Sequence, residues 1–243
     1  LIDFNDALEI YKKYNLDYRV AEILNDMGKI YLEIEKYDES LELLNQSLSI
    51  YERLGDEKGI SISNFSLGIF YIQRKNFQEA INMLELSLKF ESDISTVSRY
   101  KIIYQIAEGY NGWGKIIEAI DYYKEATEIL VSEKKFNLLH IEYKKIGDLY
   151  KWVGEIDRAF EYYNKALEIV RKIPDEKVLI SEYQNAIGIL YSLLGDYEVA
   201  TDYFNEAVKS SKKYNNAYES LNAINHIGLI EYDRGNYRNS IKI

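Results

Sequence analysis

An all-α solenoid, built by stacking one helix-turn-helix unit, follows from three observations. The first is a period. Gly28, Gly68, Ala107, Gly147, Gly188 and Gly228 recur at intervals of 40, 39, 40, 41 and 40 residues, and a repeat of that length decides the architecture ahead of any local signal. The second is a set of companions at fixed offsets. Three residues on stand Tyr31, Tyr71, Tyr110, Tyr150 and Tyr191, with Glu231 breaking the series. Twelve on stand Ser40, Ala80, Ala119, Ala159, Ala200 and Ser240, and nineteen on stand Ser47, Ser87, Ala126, Ala166 and Ala207. The third is proline, which occurs once in 243 residues, as Pro174; helices joined by short turns exclude it from their interiors.

Helices that cross closely need small side chains where their backbones approach and a large flat ring to fill the remaining wedge. Gly or Ala opposite Ala meets the first need, and the tyrosine meets the second. Gly114, Gly154, Gly195 and Gly235 follow the small residue by seven, where a helix C-terminus favours a left-handed residue. Glu35 and Lys75 hold that place in the first two repeats, so their turns are expected to be strained or differently shaped.

The elements follow in order. First helices are expected near 17–34, 57–74, 94–113, 136–153, 175–194 and 217–234. Second helices are expected near 37–54, 77–91, 116–133, 156–172 and 197–214. Ala7 falls 40 residues before Ser47, which makes Asp3 to Tyr14 part of an earlier second helix; Tyr237 to Ile243 opens a last one. The whole of 1–243 is thus expected to be one array: a partial repeat 1–15, repeats 17–55, 57–92, 94–134, 136–173 and 175–215, and a partial repeat 217–243. Terminal repeats without a polar cap expose apolar faces. The expectation is that more protein follows on both sides, or that the ends self-associate with other copies.

Composition excludes several classes. Hydrophobic residues at 47% and charged residues at 29% describe a chain that folds. Without cysteine there is no disulfide framework, thiolate metal site or thiol nucleophile, which favours a reducing, cytoplasmic setting. A net charge of -10 disfavours direct binding of nucleic acid or insertion at an anionic membrane. No run of eighteen apolar residues occurs, and the opening residues lack the features of a signal peptide. His140 and His226 lie in different repeats without a fixed carboxylate or serine motif, and neither a phosphate-binding glycine loop nor metal-ligand spacing occurs. No catalysis, cofactor or metal is expected. The acid pairs Asp38-Glu39 and Asp56-Glu57 stand at helix starts, where they complement the helix dipole.

The skeleton of small residue, tyrosine three on, and alanine twelve and nineteen on resembles the tetratricopeptide repeat, across nearly the whole chain. The typical repeat has 34 residues; the six or so added here lengthen the helices by roughly 9 Å in total. This long variant is similar to the arrays of LGN/Pins-type polarity adaptors, of Rap- and PlcR-type bacterial peptide receptors, and of sensor segments attached to bacterial kinases and transcription factors. The resemblance implies a right-handed superhelix whose first helices line a concave groove. It also implies a non-catalytic scaffold for signalling that binds a protein or peptide there. The alternative it implies is a ligand-responsive sensor segment of a larger kinase, cyclase or transcription regulator.

In that geometry a ligand is read at seven, six and three residues before the small residue and one, four and five after it. The chaperone carboxylate clamp of the family is not matched: its pattern meets Lys144, Asp148, Ala186, Asn222 and His226, and an aspartate would repel a terminal carboxylate. Asn25, Asn185 and Asn225 share one groove position, with Asn222 a turn above. Such carboxamides can hold an extended peptide backbone; the alternative is that they cap or solvate helices. Ile62, Phe65, Ile69 and Ile72 form an apolar stripe, which Tyr104 could extend. Exposed, it marks a binding surface; covered by neighbouring helices, it is ordinary core. Lys144, Asp148, Lys151 and Trp152 form a charged and aromatic set that a solvated face explains equally well.

Overall fold

The computed structural model describes residues 2–90 and 98–237. Among the described residues the chain is helical, with no strand. It runs through α1 (Ile2–Lys13), α2 (Asp17–Glu33), α3 (Tyr37–Leu54), α4 (Glu57–Gln73), α5 (Phe77–Lys89), α6 (Arg99–Trp113), α7 (Ile116–Ser132), α8 (Phe136–Trp152) and α9 (Ile156–Lys172). A short 3-10 segment, Pro174–Leu179, then leads to α10 (Ile180–Leu193), α11 (Tyr197–Tyr214) and α12 (Ala217–Asp233). The expected beginning of the third first helix at 94, the end of a second helix at 91, and the segment after Tyr237 with Ser240 lie outside the described residues. The fifth first helix begins at Ile180 rather than 175. Pro174 has no N–H and pushes Ile173 into extended backbone (φ -98, ψ 115), so a tight 3-10 turn precedes the regular helix.

Two compact units divide the chain, residues 1–126 and 127–243. In each, consecutive helices pack as antiparallel neighbours and first helices also meet the next first helix: α2 with α4 and α4 with α6 in the first unit, α10 with α12 in the second. This is the stacked helix-turn-helix architecture of an α-solenoid.

All six turns within repeats close alike. The backbone N–H of Lys36, Asn76, Lys115, Glu155, Asp196 and Asn236 donates to the carbonyl of Tyr31, Tyr71, Tyr110, Tyr150, Tyr191 and Glu231, at 2.8–3.0 Å. The residue before each donor is left-handed: Glu35 (φ 60), Lys75 (φ 56), Gly114 (φ 81), Gly154 (φ 82), Gly195 (φ 78) and Gly235 (φ 78). The turns at Glu35 and Lys75 therefore have the common shape; only the strain expected of them is present, of order 1–2 kcal/mol for a residue with a Cβ.

Gly28, Gly68, Gly147 and Gly188 make room first for a side chain sixteen residues on. A Cβ on Gly28 or Gly68 would lie 2.7 Å from Leu44 or 2.5 Å from Leu84; on Gly147 or Gly188 it would lie 2.7 Å from the Tyr163 ring or 2.8 Å from the Phe204 ring. Beside this contact the repeated tyrosine stacks on a second-helix ring: Tyr110 on Tyr122 at 5.3 Å, Tyr150 on Tyr162 at 5.6 Å, and Tyr191 on Tyr203 at 5.4 Å between centroids. Serines in place of alanine are buried and bonded. Ser47 Oγ donates to the Ala21 carbonyl at 2.7 Å, and Ser87 Oγ to that of Ser61 at 2.8 Å.

Candidate functional site

The candidate residues that the second unit draws together sit on α8, α9 and α10. Lys144 and Asp148 are one turn apart on α8, their charged groups 3.3 Å from each other. Lys144 also reaches Glu182 of α10 at 3.3 Å, and Lys151 reaches Asp148 at 3.4 Å. From beneath, the Tyr163 hydroxyl of α9 donates to Asp148 at 2.6 Å. Partial burial acts to lower the Lys144 pKa, but Asp148 and Glu182 together outweigh it and the pKa is raised. Burial, with the bond to Asp148 added, pushes the Tyr163 phenol up. Lys144, Asp148, Lys151 and Glu182 thus form one mutually neutralised network, edged by Trp152, which is 72% exposed.

The asparagines at the shared groove position do not form a uniform row. Asn25 and Asn185 are buried, whereas Asn222 is half-buried and Asn225 exposed. Asn185 Nδ2 donates to the backbone carbonyl of Glu219 at 2.9 Å and to its carboxylate at 2.6 Å, so its amide N–H groups tie α10 to α12. The reason is stacking: α4 packs on α2 and α12 packs on α10, covering this position wherever a further first helix follows.

The apolar stripe is not an exposed patch. Ile62, Phe65 and Ile72 pack half-buried against Leu84, Ile102 and Ile106, and Ile69 turns to the neighbouring cluster of Leu32, Leu44, Leu67 and Phe70. The stripe thus divides between two inter-repeat clusters, with all four side chains half-buried. Tyr104 does not extend it outward either; its half-buried ring lies 6.0 Å from Tyr123 and 6.0 Å from Tyr100.

Two arrangements were not anticipated. One is the phenol-carboxylate pair itself, which recurs in the first unit, where Tyr123 donates to Glu108 at the equivalent positions. In the fifth repeat both members change together, to Phe204 and Ile189, a covariation within the chain that could have exposed the pair. The other is His140, buried and not isolated. Its Nδ1 lies 2.8 Å from the Tyr183 hydroxyl, which donates to the His140 carbonyl at 3.2 Å, and its Nε2 lies 3.8 Å from Glu176. Desolvation lowers its pKa despite the opposing pull of Glu176 and Glu182.

No helix among the described residues is long and apolar enough to cross a membrane. The curated relatives matched include an RxLR effector protein, SFI4, of Phytophthora infestans (strain T30-4) and a secreted RxLR effector protein, RXLR-C07, of Plasmopara halstedii. Each is 28% identical over 144 residues, covering 56% of this chain and 42% or 44% of the relative; the chain therefore spans less than half their length. Among solved structures, BtubC of P. vanneervenii is 18% identical, with 88% of this chain on 91% of that one and a TM-score of 0.70. The apo form of RapI is 17% identical, covering 98% of this chain and 68% of that one, TM-score 0.75. A signal transduction ATPase with a tetratricopeptide repeat sensor, from Pyrococcus horikoshii, is 16% identical, covering 98% of this chain and 37% of that one, TM-score 0.75. At these identities the solved structures share the fold. The family model for the tetratricopeptide repeat matches residues 1–53, 19–92 and 137–213, more than half of the sequence, and the chain belongs to that family.

Proposed function

We propose that this tetratricopeptide array is a non-catalytic scaffold that recognises a peptide or protein segment, and that in the second unit the reading surface is the open face of its first helices. The observation that carries this is Trp152, a large apolar side chain left 72% exposed beside the Lys144–Asp148–Lys151 network. A flat ring at the edge of fixed charges supplies apolar contact and oriented donors together. Asn222 and Asn225 occupy groove positions on α12, where their amides can meet a ligand backbone. Asn185, buried and bonded to Glu219, acts here as a strut behind the surface. The setting is cytoplasmic in this reading, in keeping with the lack of cysteine.

The test is selection of peptides from a random displayed library on the immobilised chain, followed by affinity measurements. Trp152→Ala with Asn225→Ala is expected to weaken the selected peptides at least tenfold, with an unchanged melting temperature. Equal binding by the double variant would remove this face from the reading.

A second reading, a sensor segment of a larger signalling protein, is favoured by the fold shared with RapI and with the sensor-bearing ATPase, of which the matching part is 68% and 37%. The sequence flanking residues 1–243 separates the two: an adjoining kinase, cyclase or DNA-binding domain supports the sensor.

A further inference from the structure

The first helices of the second unit lie side by side: Lys144 of α8 meets Glu182 of α10 at 3.3 Å, and Asn185 of α10 meets Glu219 of α12 at 2.9 Å. Their C-terminal ends therefore share one edge, where α8, α10 and α12 finish at Trp152, Leu193 and Asp233. Along it stand Trp152, then Leu193 and Leu194, then Tyr232 with Tyr237, each more than half exposed. Tyr232 and Tyr237 meet edge to face, 5.3 Å between centroids. Five and six residues after the small residue, the first unit instead holds Glu33-Ile34, Gln73-Arg74 and Gly112-Trp113, and there the Lys115 ammonium covers the Trp113 ring at 3.7 Å. A row of large uncovered apolar side chains on consecutive repeats marks a surface for a partner.

The free charge beside the row is negative. Its cations are taken within the chain: Lys151 by Asp148 at 3.4 Å, Arg158 by Glu155 at 3.8 Å and Arg234 by Glu231 at 4.0 Å. Asp157, Asp196, Glu198 and Asp233 are exposed and pair with no cation among the described residues. The first three stand at helix starts, where the dipole favours them; Asp233 ends α12, where it does not.

The step size selects the shape of the partner. Packed helices lie about 8–10 Å apart, so the row offers one apolar step per repeat at that spacing. An α-helix climbs about 10 Å in seven residues and returns to nearly the same face. An extended strand covers that distance in about three residues, an odd number that turns the next side chain away. A polyproline helix repeats in about 9 Å but brings a single side chain to each step. Leu193 with Leu194 and Tyr232 with Tyr237 make steps two side chains wide, the width of a heptad's a and d pair.

We propose that this edge docks a cationic amphipathic helix of a partner protein, laid across the ends of α8, α10 and α12. Its apolar stripe rests on Trp152, the two leucines and the two tyrosines, and its lysines or arginines face the four free carboxylates. This names a partner class for the recognition role given above, on which it rests through Trp152. A second copy of this chain would set the carboxylates against themselves, and an anionic membrane would meet the same repulsion.

The test is fluorescence anisotropy of a labelled, designed helical peptide of about eighteen residues, with leucine at a and d and lysine on the flanks, titrated with the full chain. The controls are the same peptide with glutamate for lysine, a scrambled peptide without the stripe, and a polyproline peptide with leucine at every third place. The expected result is binding of the cationic helix that weakens with added salt, each control being at least tenfold weaker. Leu193→Gln with Leu194→Gln, both at exposed positions, is expected to weaken it tenfold or more with an unchanged melting temperature. Asp157→Asn with Asp233→Asn should flatten the salt dependence, while Ile34→Gln, at the matching place in the first unit, changes nothing. Absent binding, equal binding of any control, or indifference to the leucine pair would overturn the proposal. So would self-association in sedimentation that the leucine pair abolishes, which would assign the row to a second copy. The groove reading is tested apart from this one by Asn225, which the edge does not use: library peptides weakened by Asn225→Ala and untouched by the leucine pair sustain it even when the designed helix fails to bind.

Discussion

The Tyr163 hydroxyl donates to Asp148 across 2.6 Å, joining the second helix of a repeat to the first at the point where Gly147 lets the ring approach. Tyr163→Phe is expected to cost about 1–2 kcal/mol, between the worth of an ordinary hydrogen bond and that of one to a charged group. Asp148→Ile is expected to cost a similar amount, and the double variant, which copies the Phe204–Ile189 pair of the next repeat, no more than either alone. Urea titrations of the four proteins give the coupling directly. Strict additivity would mean that the bond contributes nothing to stability.

Asn185 and Asn225 are predicted to part company on substitution. Asn185→Ala removes a partner of the carboxylate of Glu219, a residue only 9% exposed, and should lower stability by about 1–3 kcal/mol. Asn225→Ala, at an exposed site, should leave the melting temperature within error. A null effect of both substitutions would show that the bridge from α10 to α12 carries no load.

The left-handed residues Glu35 and Lys75 are places to gain stability. Replacing either by glycine relieves the Cβ at positive φ and adds freedom to the unfolded chain, so the net gain is expected to be about 0.5–1 kcal/mol. Gly154→Lys, the reverse change at φ 82, should lose a comparable or larger amount. Thermal melts of the three variants check both signs.

Acid is expected to weaken the second unit before its carboxylates titrate. Burial holds the pKa values of His140 and His226 below the ordinary 6.5, so the unfolded chain takes up protons first as pH falls. The stabilisation is complete above about 6.5 and is lost as pH drops through the folded-state values, with a slope of at most about 1.4 kcal/mol per pH unit for each histidine. Denaturation midpoints between pH 7.5 and 5 should fall less steeply in His140→Gln. A parallel fall in both proteins would assign the acid sensitivity to other groups.

The period alone carried most of the fold. Small, aromatic and left-handed positions recur because every repeat solves the same packing problem, and five copies of a helix boundary correct one another. What one repeat does not contain is its neighbour. Asn185 and Asn225 are the same residue at the same register, yet α12 covers one and leaves the other open. Whether Phe65 and Ile62 face solvent or core stayed open in the sequence for the same reason: the helices they pack against, α5 and α6, lie up to some forty residues downstream. The partner of Gly147 was misjudged because the period marks which positions are constrained but not which pairs touch. His140 looked solitary because Tyr183 and Glu176, its companions, sit one repeat away. The network of Lys144, Asp148 and Lys151 was legible because it lies within a single helix.

The two tryptophans of the sequence fall one to each compact unit, Trp113 in the first and Trp152 in the second. Trp152, at 72% exposure, emits from water, so any segment that settles over it will shift its fluorescence to the blue. Replacing Trp113 with Phe leaves a chain whose emission reports on the second unit alone, and replacing Trp152 leaves one that reports on the first. The protein thus contains its own pair of optical probes, able to time the occupation or the unfolding of each half without a label.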